Sequence, residues 1–113
     1  GRTVLVVEDD YYTATDTAAA LRGAGAEVLG PCQSEEATRK LLDEQTPTHA
    51  VLDLNLGGGG PRFEIAHLLK ERGIPFVFLT GYDPDVIPAD LTDTVRLQKP
   101  LPFRAIVEAV SHI

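Results

Sequence analysis

Residues 3–10, TVLVVEDD, decide how the rest of the chain is interpreted. The first five are apolar or β-branched without alternation, which is typical of a strand covered on both faces of a parallel sheet. Three acidic residues follow directly, namely Glu8, Asp9 and Asp10. The segment therefore predicts a buried strand whose carboxyl end carries a cluster of negative charge.

Four more short apolar runs follow, and each is separated from the next by a stretch that suits a helix. The runs cover residues 26–29, 50–52, 76–79 and 95–97. The stretches with helical spacing of apolar residues cover residues 11–24, 34–44, 61–72 and 102–113. Strands that alternate with helices predict an α/β domain with a doubly wound five-stranded parallel sheet and helices on both faces.

Local signals suggest where two of these helices begin. Ser34 is expected to cap the second helix, because a serine side chain can accept a hydrogen bond from a free N–H of the first turn. Ala37 and Leu41 are expected to lie on the inner face of that helix. Pro61 is expected to begin the third helix.

The stretch between the fourth and fifth strands lacks such regularity. Pro84 and Pro88 each remove a backbone donor that a regular helix would use. We therefore expect the helix between these two strands to be short or irregular.

Composition limits the class of protein. The chain has 113 residues, of which 43% are hydrophobic and 24% are charged, and this predicts one globular domain over residues 1–113. Its formal net charge of −7 argues against direct binding to the phosphates of a nucleic acid. Cys32 is the single cysteine, so no internal disulfide is expected.

Targeting signals are missing from the sequence. No apolar run approaches the roughly 20 residues of a membrane span, and no basic segment precedes an apolar one as in a signal peptide. A cytoplasmic protein without a membrane partner is expected. Because the chain starts at Gly1 and contains no methionine, we expect it to be processed or cut from a longer protein.

Polar side chains follow four of the five predicted strands. The first strand ends in the acids Glu8 and Asp9, the third in Asp53, the fourth in Thr80 and the fifth in Lys99. In an open parallel sheet the carboxyl ends of the strands share one edge, which is where ligands bind. We therefore expect these side chains to converge.

The residue types at this edge suit one chemistry. Clustered carboxylates and a phosphate oxygen are ligands that Mg²⁺ prefers, and beside that ion Asp53 is a candidate nucleophile for phosphoryl transfer. Lys99 can offer a positive charge to a phosphoryl oxygen, and Thr80 can offer a hydroxyl donor. Taken singly, each has an ordinary interpretation as a turn residue, a solvated lysine or a helix-terminal acid. Their joint occurrence at four strand ends favours a site.

These segments resemble the receiver domain of two-component response regulators. The motifs that carry the resemblance are VLVVEDD at 4–10, AVLDLNLGG at 50–58, FLTGY at 78–82 and LQKPL at 97–101. The subgroup called FAT GUY receivers, which works with histidine kinases of the HWE type, is the closest match. The resemblance implies the flavodoxin-like receiver fold, residence in the cytoplasm and a role in signal transduction.

The resemblance also implies a role for each site residue. Asp53 would accept a phosphoryl group from a kinase phosphohistidine. Asp9 would bind Mg²⁺ directly, Glu8 would hold it through water, and Asp53 and the main-chain carbonyl of Asn55 would complete the protein ligands. In the same scheme Thr80 and Lys99 would bind the phosphoryl oxygens.

The implied partners are a histidine kinase or a histidine phosphotransfer protein. The chain would be a single-domain regulator or the receiver part of a hybrid histidine kinase, and no oligomeric state is predicted. It would not be an enzyme, beyond slow phosphorylation and dephosphorylation of itself.

Two alternative functions also use residues of this kind. A small phosphatase of the haloacid dehalogenase type also uses an aspartyl nucleophile, but it needs a second carboxylate two positions later, where this chain has Asn55. A pseudo-receiver that only binds partners would have lost at least one of the acids, Thr80 or Lys99, and all are present.

The switching mechanism departs from the family pattern. Most receivers carry an aromatic residue three positions before the lysine, whereas this chain has Arg96. Together with the weak helix signal that precedes it, this difference led us to expect that phosphorylation orders residues 82–94.

Overall fold

Five strands alternate with four helices and two 3₁₀ turns in the computed structural model, which describes residues 1–54, 56, 61–82 and 84–113. The strands are β1 (Thr3–Val7), β2 (Glu27–Cys32), β3 (His49–Asp53), β4 (Phe76–Thr80) and β5 (Val95–Gln98). The helices are α1 (Tyr11–Gly23), α2 (Glu35–Glu44), α3 (Glu64–Glu71) and α4 (Phe103–Ser111). Neighbouring strands are parallel, in the order β2-β1-β3-β4-β5. The predicted doubly wound five-stranded parallel sheet is confirmed.

The central strands are buried on both faces, which explains why they are apolar without alternation. In β1, Leu5 and Val7 belong to the apolar cluster that contains α2 and α3, whereas Val4 and Val6 belong to the cluster that contains α1 and α4. All four side chains are fully buried. Each position along such a strand therefore needs an apolar residue.

Helix α1 begins beside the acidic end of β1. The side chain of Asp10 caps it by accepting a hydrogen bond from the N–H of Thr13 at 2.8 Å. Ala14 and Ala18 lie on its buried face, and these small side chains let the helix axis approach the sheet closely. With 13 residues α1 is the longest helix, and no helix in the described part of the chain is long and apolar enough to cross a membrane.

Thr17, on the same face of α1, leads to a prediction about stability. It is buried, and its hydroxyl has no hydrogen-bond partner among the residues that the structure describes. A buried hydroxyl without a partner costs free energy, so we expect Thr17→Val to raise the free energy of unfolding by about 1 kcal/mol. Urea unfolding followed by circular dichroism measures the change.

Thr38 of α2 provides the matched control. It is equally buried, but its hydroxyl donates to the carbonyl of Ser34 at 2.8 Å. Thr38→Val is expected to lower the free energy of unfolding by about 1 kcal/mol. A loss of stability in both variants would contradict our account of Thr17.

The buried face of α2 lies one residue further along the helix than predicted. The Ser34 cap is confirmed, since its hydroxyl accepts from the N–H of Ala37 at 3.1 Å. Ala37 is exposed, however, while Thr38 and Leu42 are buried and Leu41 is half-buried. Thr38 tolerates burial because Ser34 satisfies its hydroxyl, a pairing that apolar periodicity does not reveal.

Helix α3 begins later than expected. Pro61 was predicted to begin it, but the first helical residue is Glu64, and Phe63 has non-helical angles of φ −122° and ψ 4°. The ring of Phe63 packs edge-on against Phe78 of β4, with centroids 6.2 Å apart. This contact joins the residue that precedes α3 to the core.

Strand β2 continues beyond its predicted end at residue 29. It runs through Gly30 and Pro31 to Cys32, with a shift of register against β1. Gly30 adopts φ 88°, and a Cβ there would lie 2.6 Å from the backbone nitrogen of Cys32, so only glycine fits. Because β2 is an edge strand, it also tolerates the proline.

The segment between β4 and β5 is irregular, as predicted. It forms two 3₁₀ turns, Pro84–Val86 and Ala89–Leu91, and Leu91 is buried in the core. The His67 ring of α3 contacts the carboxylate of Asp90 at 2.9 Å, and the ammonium of Lys70 donates to the carbonyl of Asp90. The segment therefore has 3₁₀ hydrogen bonds, such as the one from the N–H of Leu91 to the carbonyl of Pro88 at 2.9 Å, and side-chain contacts with α3 add to them.

Candidate functional site

The predicted site residues lie at the carboxyl edge of the sheet. Glu8 follows β1, and Lys99 follows β5, while Asp53 and Thr80 are the last residues of β3 and β4. Asp53 pairs in register with Leu79, so Thr80 stands one residue beyond it on the adjacent strand. Parallel pairing therefore brings together residues that are up to 91 positions apart in the chain.

Three carboxylates form a cluster at this edge. One oxygen from each of Glu8, Asp9 and Asp53 lies within 4.8 Å of the other two. Glu8 and Asp53 are only 1% and 2% exposed, whereas Asp9 is exposed. Buried carboxylates are costly unless cations or donors compensate their charge.

Lys99 supplies compensating charge. Its Nζ lies 2.9 Å from Oε1 of Glu8 and 3.2 Å from Oδ2 of Asp53. The backbone N–H of Lys99 donates to the carbonyl of Thr80 at 2.9 Å, which fixes the main chain beneath the side chain. One ammonium is therefore shared between the two buried carboxylates.

Burial and nearby charges shift the pKa values of Glu8 and Lys99. Burial raises the pKa of the Glu8 carboxyl from 4.5 to about 8, and the neighbouring Asp53 adds to the rise while Lys99 limits it. Burial opposes the charge of Lys99, but the hydrogen bond to Glu8 and the charge of Asp53 outweigh it and raise the pKa of Lys99 above its ordinary value.

The stability of the metal-free protein should depend on pH through Glu8. Because its folded-state pKa lies above the ordinary value of 4.5, folding favours the protonated acid. This stabilisation is fully present below pH 4.5 and is lost as the pH rises through about 8. We expect the melting temperature of the wild type to fall over this range relative to Glu8→Gln, which stays neutral. Thermal unfolding with a chelator measures the difference, and a difference that does not vary with pH would contradict the shift.

Thr80 is held in a defined orientation. Its side chain is 1% exposed, and its Oγ1 accepts a hydrogen bond from the N–H of Tyr82 at 2.8 Å. Because the oxygen is the acceptor in this bond, the hydroxyl hydrogen can be donated to a further acceptor.

Asp10 lies beside the cluster and is not among the predicted metal ligands. Its side chain caps α1, and hydrogen bonds from Thr13 lower the pKa of its carboxyl. Its N–H also lies 3.4 Å from Oε2 of Glu8. The predicted main-chain ligand Asn55 and the glycines 57–60 lie outside the described residues.

The contact between Lys99 and Glu8 was not foreseen. The sequence suggests that Lys99 binds a phosphoryl oxygen, and no local signal links it to a residue near the start of the chain.

The carboxylates of Glu8, Asp9 and Asp53 fit a hard divalent cation, since they offer oxygens within 4.8 Å of one another.

The strand order and the acidic edge define the receiver fold of the flavodoxin-like class. Solved structures with this fold include SdrG from Sphingomonas melonis Fr1, with 28% identity, 97% of this chain and 93% of that chain covered, and a TM-score of 0.81. The PhyR response regulator REC domain of Erythrobacter litoralis has a TM-score of 0.85 at 18% identity, over 99% of this chain and 88% of that one.

A response regulator from Burkholderia pseudomallei, solved with a phosphorylated aspartic acid, calcium ion and citrate, has a TM-score of 0.81 at 24% identity. That match covers 97% of this chain and 66% of the other. The structural neighbours thus include response regulator receiver domains, which are signalling rather than catalytic proteins.

A curated protein is also similar in sequence. The Phyllosphere-induced regulator PhyR of Methylorubrum extorquens is 28% identical over 81 residues. The match covers 70% of this chain but only 30% of the regulator's length. No protein-family model matches the chain. Taken together, these similarities support a two-component signalling switch.

Proposed function

We propose that this chain is a receiver domain over residues 1–113 and that Asp53 accepts a phosphoryl group from a phosphohistidine. The observation that carries the proposal is the position of Asp53, a buried carboxylate within 3.2 Å of an ammonium and beside two further acids. An oxygen of Asp53 would attack phosphorus, the P–N bond to the donor histidine would break, and the imidazole would leave with the bonding electrons.

Mg²⁺ is the proposed cofactor. Glu8, Asp9, Asp53 and the main-chain carbonyl of Asn55 would hold it, and when bound it supplies positive charge to the phosphoryl oxygens. The short distances among the three carboxylate oxygens support this choice. The calcium ion and phosphorylated aspartic acid of the Burkholderia neighbour support it by analogy.

Lys99 and Thr80 would complete the site. The ammonium of Lys99 already contacts Oδ2 of Asp53 and could pair with a phosphoryl oxygen formed there. The hydroxyl of Thr80 could donate to another phosphoryl oxygen while it continues to accept from Tyr82. Neither role requires these side chains to leave the edge of the sheet.

The proposed partner is a histidine kinase, specifically one of the HWE type, or a histidine phosphotransfer protein. The FLTGY and NLGG motifs support the HWE type, and the similarity to response regulators supports a partner that donates a phosphoryl group. We place the protein in the cytoplasm, either as a single-domain regulator or as the receiver part of a hybrid kinase, without a nucleic-acid or membrane partner.

Acetyl phosphate and Mg²⁺, followed by intact mass spectrometry, test the proposal. We expect a single phosphoryl adduct with Mg²⁺ and none when a chelator replaces it. A haloacid dehalogenase-type phosphatase would instead release phosphate over many turnovers without accumulating an adduct. A protein with neither adduct nor turnover would be a pseudo-receiver, and either of these outcomes would contradict the proposal.

Switching should involve the segment after β4. Arg96 pairs in register with Phe78, and its guanidinium contacts the side-chain oxygen of Gln98 at 3.3 Å, so no aromatic side chain stands at this position of β5. We expect phosphorylation to order residues 82–94. Amide exchange with and without beryllofluoride measures this, and slower exchange of Leu91 and Thr94 with the analogue is the expected result. Identical exchange in both states would end the hypothesis.

A further inference from the structure

We infer that the outer edge of β5 is a docking site for an extended segment of a partner protein, which adds to the sheet as a further strand. The side chains of β5 select a segment in which an acidic residue stands between two apolar ones. The inference goes beyond the proposed function, because binding at this edge requires neither Asp53 nor a phosphoryl group.

The backbone of β5 supplies the first observation. β5 is the last strand of the sheet and pairs with β4 alone. The N–H of Lys99 donates to the carbonyl of Thr80 in β4, and backbone groups alternate in direction along a strand. The N–H and C=O groups of Arg96 and Gln98 therefore point away from the sheet. Among the residues that the structure describes, they have no main-chain partner, so two donors and two acceptors are available to an added strand.

β5 lacks the features that discourage strand addition at the opposite edge of the sheet. There, β2 has a shifted register, a positive φ at Gly30, and Pro31, which has no N–H to donate. β5 contains neither glycine nor proline, and its register with β4 is regular. Val95 is 40% exposed, and Gln98 is exposed as well. A partner segment can therefore reach β5.

The side chains of β5 determine which segment fits. Val95 and Leu97 lie on the face of the sheet that α4 covers, since Leu97 packs against the apolar cluster of that helix. Arg96 lies on the other face, in register with Phe78. On an added strand, the residue beside Arg96 stands between the residues beside Val95 and Leu97. A carboxylate between two apolar side chains therefore complements β5.

The charge around β5 favours the same segment. The protein has a formal net charge of −7, but residues 94–107 contain Arg96, Lys99 and Arg104 and no acidic residue. The ammonium of Lys99 is held by the carboxylate cluster, so the two arginines supply the positive charge that a partner meets. An acidic segment is attracted to this edge, whereas a basic one is not.

Titration of the wild type with the blocked peptide KTVEVTK tests the inference by amide exchange. We expect the N–H groups of Arg96 and Gln98 to exchange more slowly with the peptide, whereas that of Leu97, which already faces β4, keeps its rate. The peptide KTVKVTK should bind about 3- to 10-fold more weakly. A version of KTVEVTK that is N-methylated at both valines and at the glutamate should not bind, because it cannot donate main-chain hydrogen bonds.

Arg96→Glu checks the side-chain argument. This variant should bind KTVKVTK about 3- to 10-fold more tightly than KTVEVTK, which reverses the preference of the wild type. Arg104→Glu is the matched control, because it changes the same charge on α4 and should still prefer KTVEVTK. An unreversed preference in Arg96→Glu would overturn the choice of an acidic segment.

The exchange measurement on the wild type decides the docking mode even if a variant fails to fold. Protection of Arg96 and Gln98 that rises with protein concentration, without any peptide, would assign this edge to a second copy of the chain and overturn the inference. Absence of binding by KTVEVTK, or equal binding of its N-methylated version, would overturn it as well.

Discussion

Asp53→Asn is expected to make the phosphoryl adduct undetectable after incubation with acetyl phosphate and Mg²⁺. The amide has nearly the same shape as the carboxylate but is not a nucleophile, so the change removes the reacting oxygen and leaves the end of β3 in place. Folding should survive, because the substitution removes one of the two buried carboxylates that share Lys99. Intact mass spectrometry measures the adduct, and circular dichroism verifies the fold.

Asp10→Asn is the matched control for this experiment. Asp10 is an exposed neighbour of the cluster, and its side chain caps α1. Asparagine is an equally good helix cap, so the variant should form the adduct to the same extent as the wild type. Equal adduct in Asp53→Asn and in the wild type would show that another residue accepts the phosphoryl group.

Phe78→Ala is expected to produce the largest loss of stability, about 3–5 kcal/mol. Phe78 is fully buried in β4, and its ring packs edge-on against Phe76 at 5.3 Å and Phe63 at 6.2 Å. The substitution removes both ring contacts and leaves a cavity between the sheet and α3. Because domains are stable by only about 5–15 kcal/mol, this loss is a large part of the total free energy of unfolding.

Urea unfolding of Phe78→Ala and Val95→Ala provides the comparison. Val95 is the exposed apolar residue of β5, with 40% of its surface accessible, and its truncation should change the free energy of unfolding by less than about 0.5 kcal/mol. Similar losses in the two variants would mean that β4 does not form the centre of the core.

The sheet could be predicted because its signal is local and repeated. The run in β1 is apolar at every position, and parallel pairing then requires that polar residues such as Asp53 and Lys99 end on one edge. That single rule predicted the positions of residues that are distant in the chain. The irregular segment after β4 could be predicted from Pro84 and Pro88, because a proline changes only the backbone near it.

The features that differ from prediction depend on contacts between distant residues. Phe63, which precedes α3, packs on Phe78 of β4, and β2 continues past residue 29 because Gly30 accommodates a close approach of Cys32. The contact between Lys99 and Glu8 joins the two ends of the sequence. No pattern within a short window contains this information.

The hydrogen bond from the N–H of Lys99 to the carbonyl of Thr80 has a mechanical consequence. It ties the end of β4 to the main chain just before α4, so a displacement of Thr80 pulls on the strand beside it. Leu101 and Phe103 follow this point and pack into the apolar cluster under α4. A shift of the Thr80 main chain would therefore be felt, through this one backbone hydrogen bond, by the residues that lead into α4.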